Sequence, residues 1–258
     1  MAHSTLMSSP PRLQATPVWR RPARAWPALL AVALASVAWP TAASAAADKP
    51  SAQASAPARS PADLQGALDR AVIAYESGHL TTARRAFEQL ALRGLPAAQY
   101  NLAVMHLRGE VKPADRTLAR RLLTRAAEGG FVTAQFMLAQ ALENGELGAR
   151  DLPLALRWYE VAAESGSSDA QVALATAHYL GRGLPRDMAR AAHWYREAAK
   201  AGDVGAMYLL AAMYEQGDGL DRDLRLARYW YDLAARAGDV AAPAKRQQMD
   251  EQLAATPA

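Results

Sequence analysis

The sequence predicts an all-α protein, a right-handed α/α solenoid of stacked helix-turn-helix repeats with a period of 36 residues. Two glycine ladders carry this prediction, together with recurring alanines and a repeated Trp-Tyr pair. The first ladder comprises Gly94, Gly130, Gly166, Gly202 and Gly238, and the second comprises Gly109, Gly145, Gly181 and Gly217. The alanines are Ala98, Ala134, Ala170 and Ala206, and the pairs are Trp158-Tyr159, Trp194-Tyr195 and Trp230-Tyr231. Self-similarity at a fixed period of about 20–50 residues is typical of a stacked repeat array.

One repeat, residues 169–202, shows why each unit should form two helices. From Ala170 to Leu180, helix A of the unit, apolar residues recur at helical spacing and form one stripe that must be covered. Gly181 and Gly183 break this helix, and Asp187 is placed to cap the following helix B. The aspartates at the same position of the other repeats are Asp115, Asp151 and Asp223. A single hairpin leaves one apolar face bare, so the repeats are expected to stack.

The pattern of this unit, A-x-x-x-L-A…G-x-G-L-x-x-D…A-x-x-W-Y-x-x-A-A-x-x-G, resembles the Sel-like repeat, a relative of the tetratricopeptide repeat. The resemblance covers roughly Ala97 to Gly238. Two units depart from it, since Val111 and Leu147 replace the second loop glycine, and Leu122-Leu123 replaces Trp-Tyr in the first. These units should pack with aliphatic rather than aromatic side chains. The resemblance implies an α/α solenoid used mainly for protein–protein contacts.

The first 45 residues are predicted to be a secretory signal peptide. They hold four arginines and no acidic residue, and an apolar run from Trp26 to Trp39 precedes the A-x-A site Ala43-Ser44-Ala45. The alternative is an uncleaved anchor, but a run of this length spans about 21 Å of a bilayer core of about 30 Å. The Arg20-Arg21 pair leaves open whether export uses the general or the twin-arginine route. Cleavage predicts a periplasmic or secreted mature protein.

Charge and cysteine content narrow the classes of partner. Of the 29 basic residues, four lie in the leader, so 25 remain in the mature chain against 25 acidic residues. The basic character belongs to the leader, so no nucleic-acid partner is expected. The chain has no cysteine, which excludes disulfides and thiolate metal sites.

Composition divides the mature chain into a linker and three further parts. Residues 46–61 are rich in Pro, Ser and Ala and predict a disordered linker. Residues 62–96 have the spacing of a tetratricopeptide-like unit, and residues 97–238 hold the four Sel-like repeats. Residues 239–258 predict a capping helix, about 241–253, with a tail.

The capping helix is expected to face solvent. Lys245 and Arg246 stand where the preceding repeat has Leu209 and Leu210. The last helix is therefore polar on a face that the inner repeats keep apolar, as terminal repeats require.

No catalytic or cofactor-binding constellation is found. The chain has no P-loop, no H-E-x-x-H and no G-x-S-x-G. His106 and His178 occupy a repeat column that also holds Leu142 and Tyr214, which indicates packing rather than metal or acid–base chemistry. The aspartates at 218, 221 and 223 lack the spacing of a calcium loop. We therefore expect no enzyme activity, no cofactor and no metal.

The helix A positions that vary between repeats predict a partner-binding surface, which we call the groove face. They lie at i, i+3 and i+7, apart from the Ala-Leu-Ala stripe. The columns are Asn101/Met137/Ala173/Leu209, Val104/Gln140/Thr176/Ala212 and Arg108/Asn144/Leu180/Gln216. In two-helix solenoids of this kind the A helices line the concave side, so this face, flanked by Gln135 and Gln171, should form a groove for a helix or extended peptide. Simple exposure is the alternative explanation of the variation.

The expected contact residues are six members of that face, with Met137 and Leu209 as apolar anchors. They are Asn101, Val104, Met137, Gln140, Thr176 and Leu209.

These observations favour a non-enzymatic adaptor that binds a protein or peptide in the bacterial envelope. Contact with a membrane is expected only through a partner or an uncleaved leader. One alternative is a cell-envelope hydrolase, or a β-lactam- or cell-wall-binding relative of the cysteine-rich Sel-like proteins; the lack of cysteine counts against it. The other is a glycan-binding scaffold, and the position of the tryptophans in packing columns counts against that.

Overall fold

A computed structural model describes residues 60–255. In this part of the chain all regular secondary structure is α-helical, and loops join the helices. The helices are α1 (Pro61–Glu76), α2 (Leu80–Leu92), α3 (Pro96–Leu107), α4 (Arg116–Glu128), α5 (Val132–Asn144), α6 (Leu152–Glu164), α7 (Ser168–Leu180), α8 (Met188–Lys200), α9 (Val204–Gln216), α10 (Leu224–Arg236) and α11 (Ala242–Ala255). The predictions of a signal peptide and of nearly all of the linker lie outside the described residues, as do the last three residues of the tail.

The chain divides into two units, Met1–Leu64 and Gln65–Ala258. Of the first unit the structure describes residues 60–64, which open α1. Ser60 and Asp63 bond there to each other's backbone amides, with N···O distances of 3.0 and 3.1 Å. This reciprocal arrangement is a capping box, which satisfies amides that a helix start leaves free.

In the second unit, odd-numbered helices are A helices and even-numbered helices are B helices, and from α2 onward each packs against the next along the chain. From α5 onward, A helices begin at 132, 168 and 204, and from α4 onward, B helices begin at 116, 152, 188 and 224. The period of 36 residues is therefore structural. The predicted all-α solenoid of stacked helix-turn-helix repeats is confirmed.

The predicted aspartate caps are confirmed in all four repeats. The carboxylate of Asp187 accepts a hydrogen bond from the amide of Arg190 at 2.9 Å, and Asp115, Asp151 and Asp223 make the equivalent contact. Helix α7 begins at Ser168, two residues earlier than expected, because Ser167 caps it through the amide of Ala170. Helix starts in this fold are thus set by local side chains.

Alanine and tyrosine fill the space between helices. The alanines that are fully buried in every repeat are Ala98, Ala134, Ala170 and Ala206 in the A helices, and Ala119, Ala155, Ala191 and Ala227 in the B helices. Without larger side chains at these positions, the helix backbones approach closely. In the first repeat Leu122 and Leu123 are buried, which confirms the expected aliphatic packing.

The Trp-Tyr pairs do not pack as two equivalent core residues. Tyr159, Tyr195 and Tyr231 are buried, whereas the tryptophan before each is only half-buried. Trp194 and Trp230 lie at the margin of the core formed around Tyr195. The tyrosine is therefore the main packing residue of each pair.

The loops between helices A and B are closed by an arginine that the sequence analysis did not single out. The Nε atoms of Arg150, Arg186 and Arg222 donate to the carbonyl oxygens of Glu143, Tyr179 and Glu215, at 2.6, 3.1 and 3.0 Å. These arginines also lie 36 residues apart. Each bond satisfies a carbonyl in the last turn of an A helix.

In the last repeat, steric hindrance requires glycine at the second glycine position of the loop between helices A and B. Gly219 has φ +68°, and a Cβ atom there would lie 2.2 Å from the backbone carbon of Met188. Only glycine allows this backbone conformation at such a close approach.

The C-terminal helix corrects one expectation. Lys245 and Arg246 do not simply face solvent, because both are half-buried and paired. The Nζ of Lys245 lies 3.0 Å from a carboxylate oxygen of Glu215, and Arg246 donates to Asp232 at 3.2 Å. Cationic side chains at these positions therefore bind α11 to the preceding repeat.

Candidate partner-binding site on the A helices

The six predicted contact residues lie on α3, α5, α7 and α9, but they differ in exposure. Leu209 is 40% exposed, while Asn101, Met137, Gln140 and Thr176 are half-buried. Val104 is only 8% exposed, so the expectation of an accessible contact there is wrong. The apolar side chain most accessible on the groove face is Leu180, at 63%.

The glutamines expected to flank the groove hold the repeats together instead. Gln135 and Gln171 are buried, and so is Gln99 in the repeat before them. The Nε2 atoms of Gln99, Gln135 and Gln171 donate to the carbonyl oxygens of Ala91, Ala127 and Ala163, at 3.3, 3.2 and 3.1 Å. Each bond joins an A helix to the B helix before it, and leaves these glutamines no role in a partner contact.

A pocket opens on the groove face where α7, α8 and α9 meet, and we call it the Tyr179 pocket. Helix α9 contributes one residue from each groove-face column, and the preceding repeat contributes two tyrosines. The lining residues are Tyr179, Tyr195, Leu209, Ala212, Met213 and Gln216, with Asp218 at the start of the next loop. The structure thus brings Leu209 into one site with residues that sequence reasoning had assigned to packing or to a turn.

Thr176 reaches the same site through Tyr195. Its Oγ1 lies 2.9 Å from the phenolic oxygen of Tyr195 and 2.8 Å from the carbonyl oxygen of Val172. The phenol is therefore satisfied by the protein itself, and Tyr195 presents its ring to the pocket. Burial raises the pKa of Tyr195, so the phenol is neutral at physiological pH.

The two neighbouring repeat interfaces fill the equivalent position with polar groups. At the interface before, the phenol of Tyr159 donates to Glu143 at 2.7 Å, and Arg182 pairs with the same carboxylate at 2.7 Å.

At the interface after, the phenol of Tyr231 donates to Glu215 at 2.7 Å, and Lys245 pairs with it at 3.0 Å. Tyr179 occupies the repeat column of Glu143 and Glu215, 36 residues from each. The pocket therefore lies where this repeat has an aromatic ring in place of the glutamate carboxylate of its neighbours.

The two column histidines have defined structural surroundings. The amide of Asp115 donates to Nδ1 of His106 at 3.2 Å, whereas the amide of Asp187 donates to the backbone carbonyl of His178 at 3.0 Å. Both rings are buried, and Nδ1 of His178 has no hydrogen-bond partner among the described residues. Burial lowers the pKa of His178, and the nearby charge of Arg190 lowers it further.

The described residues offer no grouping of three or more His, Asp or Glu side chains that suits a metal ion. Among the helices described, none is long and apolar enough to cross a bilayer.

A polar cluster borders the N-terminal end of the groove face. Arg108 donates to the phenolic oxygen of Tyr75 at 2.7 Å, and that phenol donates to Glu110 at 3.0 Å. Tyr100 lies nearby with its ring 5.1 Å from that of Phe131, and burial raises its pKa to about 12. The groove face therefore changes from polar at this end to apolar at the Tyr179 pocket.

Comparisons with known proteins agree with this architecture. The Sel1 repeat profile matches four consecutive segments, residues 96–131, 132–167, 168–203 and 204–239, which together exceed half of the chain. No curated protein sequence matches the chain.

Two solved structures share the fold with more than 30% sequence identity. A Sel1 repeat protein from Oxalobacter formigenes is 31% identical, with a TM-score of 0.62 over 65% of this chain and 49% of its own length. The protein c5321, a protective antigen of uropathogenic Escherichia coli with an SLR fold, is 33% identical, with a TM-score of 0.58 over 62% of this chain and 34% of its own.

The chain thus spans about half and a third of the lengths of these two proteins. Sel1 repeat proteins generally mediate protein–protein interaction and are typically non-enzymatic scaffolds. With four matched repeats, their predicted caps in place and the tetratricopeptide-like packing of α1–α11, the chain belongs to the Sel1 repeat family.

Proposed function

We propose that this protein is an exported, non-enzymatic adaptor that binds a protein or peptide partner in the cell envelope through its groove face. One observation carries the proposal. Leu180 and Leu209 are 63% and 40% exposed on the groove face, where other repeats have Arg, Asn or Gln in the column of Leu180 and Asn, Met or Ala in the column of Leu209. The solenoid does not need apolar side chains there, and exposed apolar residues on one face favour a docking surface.

The charge distribution supports a peptide or protein over a nucleic acid. Most ionic groups around the groove are paired, as in Arg182 with Glu143 and Lys245 with Glu215. On the helices between residues 60 and 255, no strongly basic stripe remains to bind a phosphate backbone. An interface of this kind resembles the mixed apolar and polar grooves that bind a helix or an extended segment.

Binding is tested by affinity capture with crosslinking from envelope extracts, comparing two leucine substitutions of matched exposure. Leu209→Asp places a charge on the groove face, and Leu226→Asp places one on α10, where Leu226 is 39% exposed. We expect the first to abolish capture of a stoichiometric protein and the second to leave it unchanged, with equal helical content by circular dichroism. Equal capture by both variants would remove the site from the groove face. Met137→Asp extends the test to the neighbouring repeat.

Export is tested separately by the mature N-terminus. The acid-free basic leader and the Ala43-Ser44-Ala45 site support cleavage, and we expect the N-terminus to lie between Ala46 and Asp48. Intact-mass measurement of the protein from the native envelope fraction checks this. A full-length chain confined to the cytosol contradicts the envelope part of the proposal and leaves the groove untouched.

A further inference from the structure

We infer that the Tyr179 pocket is the anchor subsite of the groove face, and that it receives one large apolar side chain of a partner peptide whose neighbouring residue is Lys or Arg. This inference rests on the proposed function and specifies the chemistry of the partner. Three features of the described residues support it: the walls of the pocket, its contrast with the two neighbouring interfaces, and the charge at its rim.

The walls are mainly apolar and aromatic, and the polar groups of the lining are Gln216 and, at the rim, Asp218. The phenolic oxygen of Tyr195 is held by Thr176 at 2.9 Å, so an occupant meets the ring and not an unsatisfied hydroxyl. On the other side, the Nε of Arg186 donates to the backbone carbonyl of Tyr179 at 3.1 Å, and its guanidinium lies 5.9 Å from the ring centre of Tyr179. Aromatic side chains have few rotatable bonds, so this wall loses little conformational entropy when it binds an apolar side chain.

The contrast between repeats shows that the pocket is not required by the fold. Glu143 and Glu215, each 36 residues from Tyr179, hold a tyrosine hydroxyl and a cation at the corresponding place. Leu209 stands in the column of Lys245, which is one of those two cations. The last interface joins Glu215, Tyr231 and Lys245. At the Tyr179 pocket, Tyr179 replaces the glutamate and Leu209 replaces the lysine, and the space between these two side chains is open.

The rim carries a negative charge where the preceding interface has a positive one. Asp218 stands 36 residues after Arg182, the cation that pairs with Glu143. In the part of the chain that the structure describes, no hydrogen bond or ion pair is made by the carboxylate of Asp218, while Glu215 nearby is neutralised by Lys245. A Lys or Arg beside the apolar anchor complements this charge, and an exposed pair of this kind raises affinity by up to about fivefold.

The neighbouring repeat supplies a variant that closes the pocket. Tyr179→Glu with Leu209→Lys copies the arrangement of Glu215, Tyr231 and Lys245, so Glu at 179 can accept from Tyr195 and pair with Lys at 209. Because the same trio is stable one repeat later, the double variant should keep the helical content of the natural protein. Ala212→Gln is the second variant, since Gln140 is accommodated in that column, and its longer side chain occupies the pocket.

The test is selection of a displayed random decapeptide library on the full chain, with the double variant as soluble competitor. We expect enriched peptides to contain a large apolar residue next to Lys or Arg. Synthetic copies should bind the double variant and Ala212→Gln at least about tenfold more weakly than the natural protein. Replacing the basic residue by Glu should weaken binding to the natural protein by about fivefold or more, and Asp218→Asn should remove that preference.

Three results overturn the inference. Enriched peptides that bind the double variant equally well would place the anchor elsewhere, and enriched peptides without a basic neighbour would contradict the charge complementarity. Concentration-dependent self-association that the double variant abolishes would assign the pocket to a second copy of the chain. None of these results tests the proposed function. That function is tested separately, by comparing how the Leu209→Asp and Leu226→Asp variants capture a partner protein.

Discussion

The side-chain nitrogen of Gln171 lies 3.1 Å from the carbonyl oxygen of Ala163, and this bond joins helix α7 to helix α6 in the preceding repeat. The contact is buried, and Gln99 and Gln135 repeat it toward the N-terminus. In the last repeat the same column holds Met207, which cannot make the bond. The hydrogen bond therefore strengthens an interface that apolar packing alone can also form.

This column predicts a difference between two substitutions of Gln171. Gln171→Ala should lower the free energy of unfolding by about 1–3 kcal/mol, since it removes the bond and leaves a void. Gln171→Met, which copies Met207, should cost about 1 kcal/mol at most because the volume is kept. Urea unfolding followed by circular dichroism measures both. Equal losses for the two variants would mean that the volume at this position contributes nothing.

The aromatic pairs predict which residue matters more for stability. Tyr195 is buried between repeats, so Tyr195→Ala should lower the free energy of unfolding by about 3–5 kcal/mol. Trp194 is half-buried at the margin of the same core, so Trp194→Ala should cost clearly less. Thermal unfolding of the two variants side by side checks the order. The reverse order would contradict the conclusion that tyrosine is the main packing residue of each pair.

We expect the free energy of unfolding to fall in acid because of His178. Its folded-state pKa is lowered by burial and by Arg190, so protonation favours the unfolded chain. The contribution of the neutral His178 ring to the free energy of unfolding is fully present above the unfolded-state pKa of about 6.5. It is lost as the pH falls toward the lower folded-state pKa. His178→Leu, which copies Leu142, should remove this contribution. The measurement is the difference in unfolding free energy between natural protein and variant at pH 8 and pH 5, and an unchanged difference contradicts the prediction.

We expect the free energy of unfolding to fall in base because of Tyr100. Burial raises its folded-state pKa to about 12, above the value of about 10 for an exposed phenol. The contribution is fully present below pH 10 and is lost as pH rises toward 12, because the unfolded chain ionises first. Tyr100→Phe keeps the ring against Phe131 and should reduce the loss at pH 11 by about 1 kcal/mol. Parallel unfolding curves of the two proteins at pH 9 and pH 11 provide the check; an identical pH dependence in both would exclude Tyr100 as a source.

The sequence determined the repeat period, the helix pairs and the aspartate caps of this protein. These features are local, since a cap such as Asp187 bonds to an amide three residues away, and the spacing repeats them four times. The same logic identifies the closing arginines once Arg186 is seen to bond to Tyr179, because they share the 36-residue period.

The tertiary structure alone decided which variable positions are accessible. Val104 and Leu209 follow the same helical pattern, but one is buried and the other is 40% exposed. Gln171 looks like a surface residue in the sequence and is a buried bond between repeats. The Tyr179 pocket requires side chains from three helices, and its shape depends on the absence of a carboxylate that both neighbouring interfaces contain. Periodicity assigns a residue to a helix face, whereas exposure depends on the volume of side chains that other repeats place against it.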